Sequence, residues 1–454
     1  MKRIKISSIH LIPLSFLAAI LAGALLLALP VSSSAGEWTA PADALFTATT
    51  SVCVTGLVVV DTYSYWSLFG QAVILVLIQI GGLGVITVVS TLMLLAHKQF
   101  SLSKRVVLRD ALNLDSLAGL LNFLARVVRG TLIAEAAGAC LYMTQFVPEF
   151  GLPKGIWVSV FNAVSAFCNA GIDVLGPDSL APYRDNPLIL LVTMVLIIAG
   201  GLGYVVWFDL AGKTAFGLRK GLSPSQIFRR LSEHTKLALA VTAVLIAAGT
   251  AFILAAEYSN PETLGNMPFS LKLLNSLFES VTFRTAGFAT FSQKSVSDIS
   301  YVIAILLMFI GGSPVGTAGG VKTTTFYLSI LNITSYLRGD NGAQVFRRSV
   351  SAEQMKKAHA IVQISAATIL GLTLLLIAAD PMGIEDGLFE IVSACATVGL
   401  TRGATPLLNT AGKLIVTLAM YLGRIGPISM AIFLVGGRKD DPGRHYAEGD
   451  FFIG

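Results

Sequence analysis

The feature that most restricts this chain is a short loop written four times. It reads Val54-Thr55-Gly56, Asn169-Ala170-Gly171, Thr285-Ala286-Gly287 and Thr397-Val398-Gly399. The loop glycines are 115, 116 and 112 residues apart, a period that accommodates a helix, a loop and a second helix. Each loop follows a short apolar or aromatic-rich stretch, near 41–52, 154–167, 269–282 and 384–395. A second mark lies downstream of each loop. It is Gly81-Gly82-Leu83-Gly84, Gly200-Gly201-Leu202-Gly203, Gly311-Gly312-Ser313 and Gly423-Arg424-Ile425-Gly426. Two marks in the same order four times define an internally repeated architecture.

The repeats are set among long apolar runs, near 11–30, 68–96, 118–146, 187–210, 235–256, 299–334, 358–379 and 406–437. About 20 mostly apolar residues cross the hydrocarbon as a helix, so eight crossings are expected. The sixth is interrupted by Gly311-Gly312-Ser313-Pro314 and Gly319-Gly320. The stretches before the loops are too short to span and suit re-entrant helices buried in protein. Charged residues make up 13% of the chain, against about 25% in a soluble domain. The expected fold class is therefore an all-α polytopic membrane protein: four helix–pore loop–helix units around one central pore. The units are 11–96, 118–210, 235–334 and 358–437, followed by a cytoplasmic tail at 438–454. The first apolar run also has the outline of a secretory signal peptide, with Lys2, Arg3 and Lys5 ahead of it and Ser32-Ser33-Ser34 behind. The repeat requires it as a membrane helix.

Orientation follows from Lys and Arg placement. The N-terminus, the connectors 97–117, 211–236 and 335–358, and the tail at 436–454 carry 21 of them, and the opposite-side segments carry 7. Both termini are expected in the cytoplasm, with the chain in the plasma (inner) membrane. The net charge of +6 is spread over these connectors, which argues for topology and anionic lipid and against a nucleic-acid partner. The four cysteines form no CxxC pair and no cluster with the five isolated histidines. A structural zinc site, a disulfide scaffold and a membrane enzyme are all disfavoured, and no covalent cofactor is expected.

The loops suggest a chemistry without reactive side chains. Glycine adopts the left-handed dihedrals that aim successive carbonyls at an axis. A ring of carbonyls replaces the hydration shell of a monovalent cation, and the negative ends of four short helices favour it. The candidate selectivity filter is Val54, Thr55, Gly56, Asn169, Ala170, Gly171, Thr285, Ala286, Gly287, Thr397, Val398 and Gly399, with a monovalent cation held by backbone carbonyls. The helix glycines at 81–84 and 200–203 have an alternative role in close helix packing.

Unwound backbone at membrane depth is tolerated where it lines a cavity. The broken segment Gly311, Gly312, Ser313, Pro314, Val315, Gly316, Thr317, Ala318, Gly319, Gly320 and Lys322 therefore either lines a cavity or is a simple kink with local packing; the family resemblance given below makes it the candidate gate. Arg424 joins it, because an intramembrane arginine requires a partner or water; the alternative is a purely structural arginine. Gly316 to Lys322 is not a phosphate loop, since Val321 separates Gly320 from Lys322. Arg284 either braces the third loop or charges the mouth. Glu135 either relays protons or bonds helices. Cys53, Cys168 and Cys395 read as small packing groups.

The segments TSVCVTGL (50–57), FNAVSAFCNAGID (161–173), FESVTFRTAGF (278–288), SACATVGLT (393–401), GGSPVGTAGGVKTTT (311–325), GRIGP (423–427) and GDFFIG (449–454) together resemble the KtrB membrane subunits of Ktr potassium uptake systems, in the Trk/Ktr/HKT superfamily. The resemblance covers nearly the whole chain. It implies selective potassium uptake through a filter less symmetric than that of tetrameric channels, and an intramembrane loop that blocks the pore below it. It also implies a homodimer with one pore per protomer, a cytosolic nucleotide-binding ring of the KtrA type, and stimulation by sodium. A sodium-permeable or sodium–potassium cotransporting relative stays open, as does the choice between channel and coupled symport.

Overall fold

The computed structural model describes residues 8–85, 87–88, 90, 120–339 and 342–426. Lys2, Arg3 and Lys5, the connector 97–117, Pro427, the tail at 438–454 and the GDFFIG segment lie outside the described residues.

Four short helices end at the repeated loops: α2 (Pro41–Cys53), α6 (Leu152–Cys168), α11 (Phe269–Thr282) and α15 (Ile384–Ala396). Proline at the first or second position starts α2 and α6, where a missing N–H costs nothing. An upstream helix packs on each: α1 (Ser8–Ala28), α5 (Leu120–Phe150), α10 (Glu233–Glu257) and α14 (Ala352–Ala379). A downstream helix follows each: α4 (Leu68–Leu83), α7 (Pro187–Leu202), α12 (Asp298–Phe309) and α16 (Thr410–Ile425). All four downstream helices open on a side-chain cap, from Ser67, Asn186, Ser297 and Asn409. Each such cap satisfies an otherwise orphaned helix N–H.

The packing closes a ring. Helix α4 lies on α6, α7 on α11, α12 on α15, and α16 returns to α2. The last contact is tied by Lys413, whose Nζ is 2.6 Å from Asp43 Oδ1. The core is aromatic and concentrated around the short helices, where Phe46, Phe161, Phe167, Phe278 and Phe389 are fully buried. The outer helices are the reverse. In the apolar windows of α1, α10 and α14 only 28%, 28% and 22% of residues are buried inside the protein. Leu25, Val244 and Leu374 point outward, as hydrocarbon solvent allows and water does not.

Among the described residues, three helices are long and apolar enough to cross a membrane: α1, α10 and α14. The expected single downstream spans are instead broken. Helices α4, α7 and α16 stop at Gly84, Gly203 and Gly426, with φ of 84°, 87° and 93°, dihedrals that glycine adopts freely. After Gly203 the chain resumes at 99° as α8 (Tyr204–Arg219). The break after α12 is longer, and α13 (Thr323–Arg338) follows it. The sequence marked only the sixth span as interrupted. The same glycine mark bends the fourth span by 99° and ends the described helix at Gly84 and at Gly426.

Two small helices, α3 (Thr62–Tyr65) and α9 (Pro224–Arg230), three short 3-10 turns at Pro30–Ser32, Ala181–Tyr183 and Thr405–Leu407, and a hairpin of two short strands, Gln344–Val345 with Arg348–Ser349, complete the described fold.

Candidate ion pathway

The four loop glycines meet at one place. A Cβ built on Gly56 would lie 2.5 Å from Ala170 O, one on Gly171 2.5 Å from Ala286 O, one on Gly287 2.7 Å from Val398 O, and one on Gly399 2.2 Å from Thr55 O. The pattern is cyclic: each glycine faces the carbonyl that precedes the next glycine. Their φ values are 101°, 64°, 82° and 97°. Two residues earlier, Val54, Asn169, Thr285 and Thr397 are also left-handed, with φ between 52° and 68°. That conformation is costly for β-branched residues, so the surrounding structure must enforce it.

Side chains behind the loops do so unequally. Gly56 N–H donates to Thr50 Oγ1 and Gly399 N–H to Ser393 Oγ, both at 3.0 Å. The third loop differs, with Thr282 Oγ1 donating to Phe288 O at 2.6 Å. Two fully buried carboxylates hold the chain that leaves the third and fourth loops. Glu279 accepts from Thr290 N–H at 3.2 Å, Thr290 Oγ1 at 3.1 Å and Gln293 Nε2 at 3.1 Å. Glu390 accepts from the Thr401 and Thr405 hydroxyls. Neither glutamate stood out in the sequence. The available signal was the repeated dipeptide Phe278-Glu279 and Phe389-Glu390.

Outside the ring is a vestibule of about 480 Å³, lined by the four glycines and by Asp61, Asp173, Asp178, Gln293 and Thr401 among others. Burial pushes the Asp173 carboxyl up to about 6, against the lowering effect of hydrogen bonds from Ser179 and Leu175 N–H. Sequence reasoning missed this residue too, although it lies two positions after Gly171.

On the other side of the ring is the segment between α12 and α13. It folds back on itself through Gly311 N–H to Val321 O, 2.9 Å, and Val321 N–H to Phe309 O, 3.1 Å. It docks on the α7–α8 elbow through Ser313 N–H to Gly201 O, Thr317 N–H to Gly200 O, and Tyr204 N–H to Val315 O, at 2.8–3.1 Å. Lys322 Nζ reaches Ala318 O at 2.5 Å. Arg424 joins two elements, with Nη1 2.6 Å from Thr317 O and Nη2 2.5 Å from Gly81 O. The candidate gate residues are thus in one place, on the side of the loop glycines away from the vestibule.

The other residues singled out in the sequence take the following positions. Gly81, Gly200 and Gly423 pack on the ends of the short helices, where a Cβ would fall 2.1, 1.9 and 2.1 Å from Val52 O, Phe167 O and Cys395 O. That geometry supports the close-packing reading for these three, whereas a Cβ on Gly203 would meet Pro314 O of the internal segment at 2.3 Å. Arg284 is buried behind the third loop and donates to Gly311 O at 3.3 Å; it is absent from the vestibule lining. Glu135 is buried beside Cys168, with Sγ 3.8 Å from Oε1, and joins α5 to α6. Cys53 and Cys168 are buried and free, as packing groups are. Among the described residues no cluster of His, Cys, Asp or Glu could hold a metal ion.

Four loops that meet between a vestibule and a docked internal segment, within helices that expose apolar belts, fit a membrane protein that passes ions. The family model described as TrkH, cation transport protein, matches residues 14–437, and this chain belongs to that family. It is 38% identical to the potassium/sodium uptake protein NtpJ of Enterococcus hirae, over 100% of this chain and 98% of that protein. It is 37% identical to the Ktr system potassium uptake protein B of Bacillus subtilis, over the same shares. Its fold is similar to the crystal structure of the potassium transporter TrkH from Vibrio parahaemolyticus, with a TM-score of 0.74 at 16% identity, covering 95% of this chain and 86% of that one. The chain is an integral membrane cation transporter and not an enzyme.

Proposed function

We propose that the chain is the potassium-translocating membrane subunit of a Ktr-type uptake system. The twelve residues at 54–56, 169–171, 285–287 and 397–399 act as its filter, and the segment 311–322 with Arg424 acts as its gate. The observation that carries this reading is the cyclic arrangement of the carbonyls of Thr55, Ala170, Ala286 and Val398 against the four glycines. Backbone oxygens at one level replace cation hydration and require no ionising group. The topology that goes with it has eight crossings in four units, 11–96, 118–210, 235–334 and 358–437, and both termini in the cytoplasm.

The Bacillus subtilis relative is named as part of a Ktr system, which supports a second subunit. We assign that subunit to a cytosolic nucleotide-binding ring of the KtrA type, acting on a homodimer of this chain. Sodium stimulation belongs to the same reading. A second reading, transport of sodium as well as potassium, is favoured by the name of the Enterococcus hirae relative.

Flux into liposomes by the purified protein tests both, with potassium and sodium varied separately and the ring present or absent. Potassium flux that rises with the ring supports the first reading, and sodium carried at a comparable rate supports the second. Deleting residues 314–319 raises ring-independent potassium flux if the segment is the gate. Flux that stays fully ring-dependent in that deletion removes the segment from the role.

A further inference from the structure

The internal segment does more than sit beneath the ring; it is fastened to the loops that form it. The Thr317 hydroxyl lies 2.8 Å from Asn169 Oδ1 and 3.1 Å from Phe167 O. Asn169 directly precedes Ala170 and Gly171 of the second loop, and Phe167 lies two residues before Asn169. Thr317 is 1% exposed and Asn169 is 1% exposed, so neither exchanges this contact for water. Asn169 is the left-handed residue of its loop, with φ of 60°, and its Nδ2 has no partner among the described residues. Its side chain is thus anchored through one atom, by Thr317. The Thr317 carbonyl is in turn the acceptor of Arg424 Nη1. One residue of the segment therefore links the gate arginine to the second loop.

Two other loops touch the segment. A Cβ on Gly319 would lie 2.0 Å from Thr397 Oγ1, and Arg284 behind the third loop holds Gly311 O. Withdrawal of the segment strips the second loop of its anchor and leaves a buried asparagine amide unpaired. An unpaired buried polar group drives local rearrangement.

We propose that Asn169 and Thr317 are a positioning pair through which the internal segment sets the cation selectivity of the second loop. Selectivity and gating then share one hydrogen bond, and the ratio of potassium to sodium transport changes with the state of the segment. This inference rests on the filter and gate assignments above.

The test uses full-length protein in liposomes and reads two quantities per folded protein: ring-independent flux, and the ratio of potassium to sodium flux. Thr317→Val keeps the shape and removes the donor. Asn169→Gly keeps the left-handed backbone without strain and removes the acceptor. Each lowers the potassium-to-sodium ratio by about fivefold, the scale of one net hydrogen bond. The double variant is no worse than either single one, and Thr317→Ser restores the ratio. A ratio unchanged in both single variants overturns the proposal. If flux rises in Thr317→Val while the ratio holds, the gate reading stands and the pair does not. If neither quantity moves, the gate reading loses Thr317 as well. Fully additive losses in the double variant also overturn the pair, because they assign the two residues independent effects.

Discussion

The third unit departs from the other three, and the departure shows what the internal segment needs. In the first, second and fourth units the downstream helix packs on its own short helix. Gly81, Gly200 and Gly423 make that approach possible, each against a helix-end carbonyl. In the third unit the matching glycine, Gly311, faces Gly319 O at 1.9 Å from its missing Cβ. The glycine packs on the segment rather than on the helix. The end of the short helix changes with it. Helices α2, α6 and α15 pass directly into a left-handed cap at Val54, Asn169 and Thr397. Helix α11 has a right-handed Phe283 first and reaches its left-handed residue only at Thr285. Arg284 fills the position where two other units have Cys53 and Cys168, and its guanidinium reaches into the break. Three units use glycine to lock a helix onto a loop. The third uses glycine to let a segment fold back.

The comparison breaks most sharply at the ring, where all four units are expected to behave alike. Gly56→Ala and Gly399→Ala each place a methyl within 2.5 Å of a neighbouring loop carbonyl and force a positive φ on alanine. Each is expected to lower potassium flux by more than about tenfold per folded protein, since the ring has no slack backbone to move. Gly287→Ser is expected to weaken discrimination between potassium and sodium more than it weakens folding. Equal flux and selectivity in a well-folded Gly287→Ser protein would falsify the place of the third loop in the filter.

One step smaller is the contrast between the helix glycines. Gly81→Ala, Gly200→Ala and Gly423→Ala push against helix-end backbone and are expected to cost on the order of 1–3 kcal/mol of stability. Thermal melting in detergent reads this directly. Gly311→Ala pushes against the segment, so on the gate reading proposed above it is expected to melt near wild type and to raise flux in the absence of the proposed cytosolic ring. Melting of Gly311→Ala as low as the other three would erase the distinction between the third unit and the rest.

How much of this was legible beforehand depends on whether the signal was periodic. The short helices and their loops were read to within about two residues, because an apolar stretch ending in a fixed glycine repeats four times. The glycines at 81–84 and 200–203 were ambiguous in sequence, since packing and pore lining ask for the same small residue. Only the position of Val52 O and Phe167 O decides between them. Arg284 was ambiguous for a related reason: its long side chain can reach the vestibule or the break, and the backbone register does not say which. Glu279, Glu390 and Asp173 gave almost no signal. An acidic residue near a turn usually reads as a solvated one, and what makes these different is burial by distant segments.

Those two glutamates allow the comparison to be sharpened further. Glu279 accepts from a backbone N–H, a rotatable hydroxyl and the Gln293 amide, whereas Glu390 accepts chiefly from two rotatable hydroxyls. An amide in place of Glu279 turns an NH2 group toward the Gln293 NH2, and correcting that by flipping Gln293 gives up its bond to Phe291 O. Glu279→Gln is therefore expected to cost about 1–2 kcal/mol of stability, and Glu390→Gln less. Thermal melting of the two variants side by side checks the order, and the reverse order would show that the hydroxyls are not free to adapt.

The smallest expected effect lies in the vestibule and belongs to the second unit alone. Asp173 is a half-buried carboxyl whose ordinary value is raised to about 6, chiefly by burial. Above that pH it carries a negative charge on the vestibule wall, and below it the charge is gone. A single charge a few ångströms from a cation in a wet vestibule is worth up to about 1 kcal/mol before salt screening. Potassium uptake at subsaturating concentration is therefore expected to fall by about twofold as external pH drops from 7 to 5. Asp173→Asn is expected to remove that dependence and to sit at the low-pH level throughout. The stability trend has the opposite sense. Because the folded state raises the pKa, it favours the protonated acid, so this group's contribution is fully present below the unfolded value of 3.8 and is lost as pH rises through about 6. Conduction and stability thus pull in opposite directions across the same interval. A variant in which both become flat identifies Asp173 as the titrating group. If uptake in Asp173→Asn keeps its pH dependence, the charge that matters at the mouth is another one, and Asp61 and Asp178 are the next residues to replace.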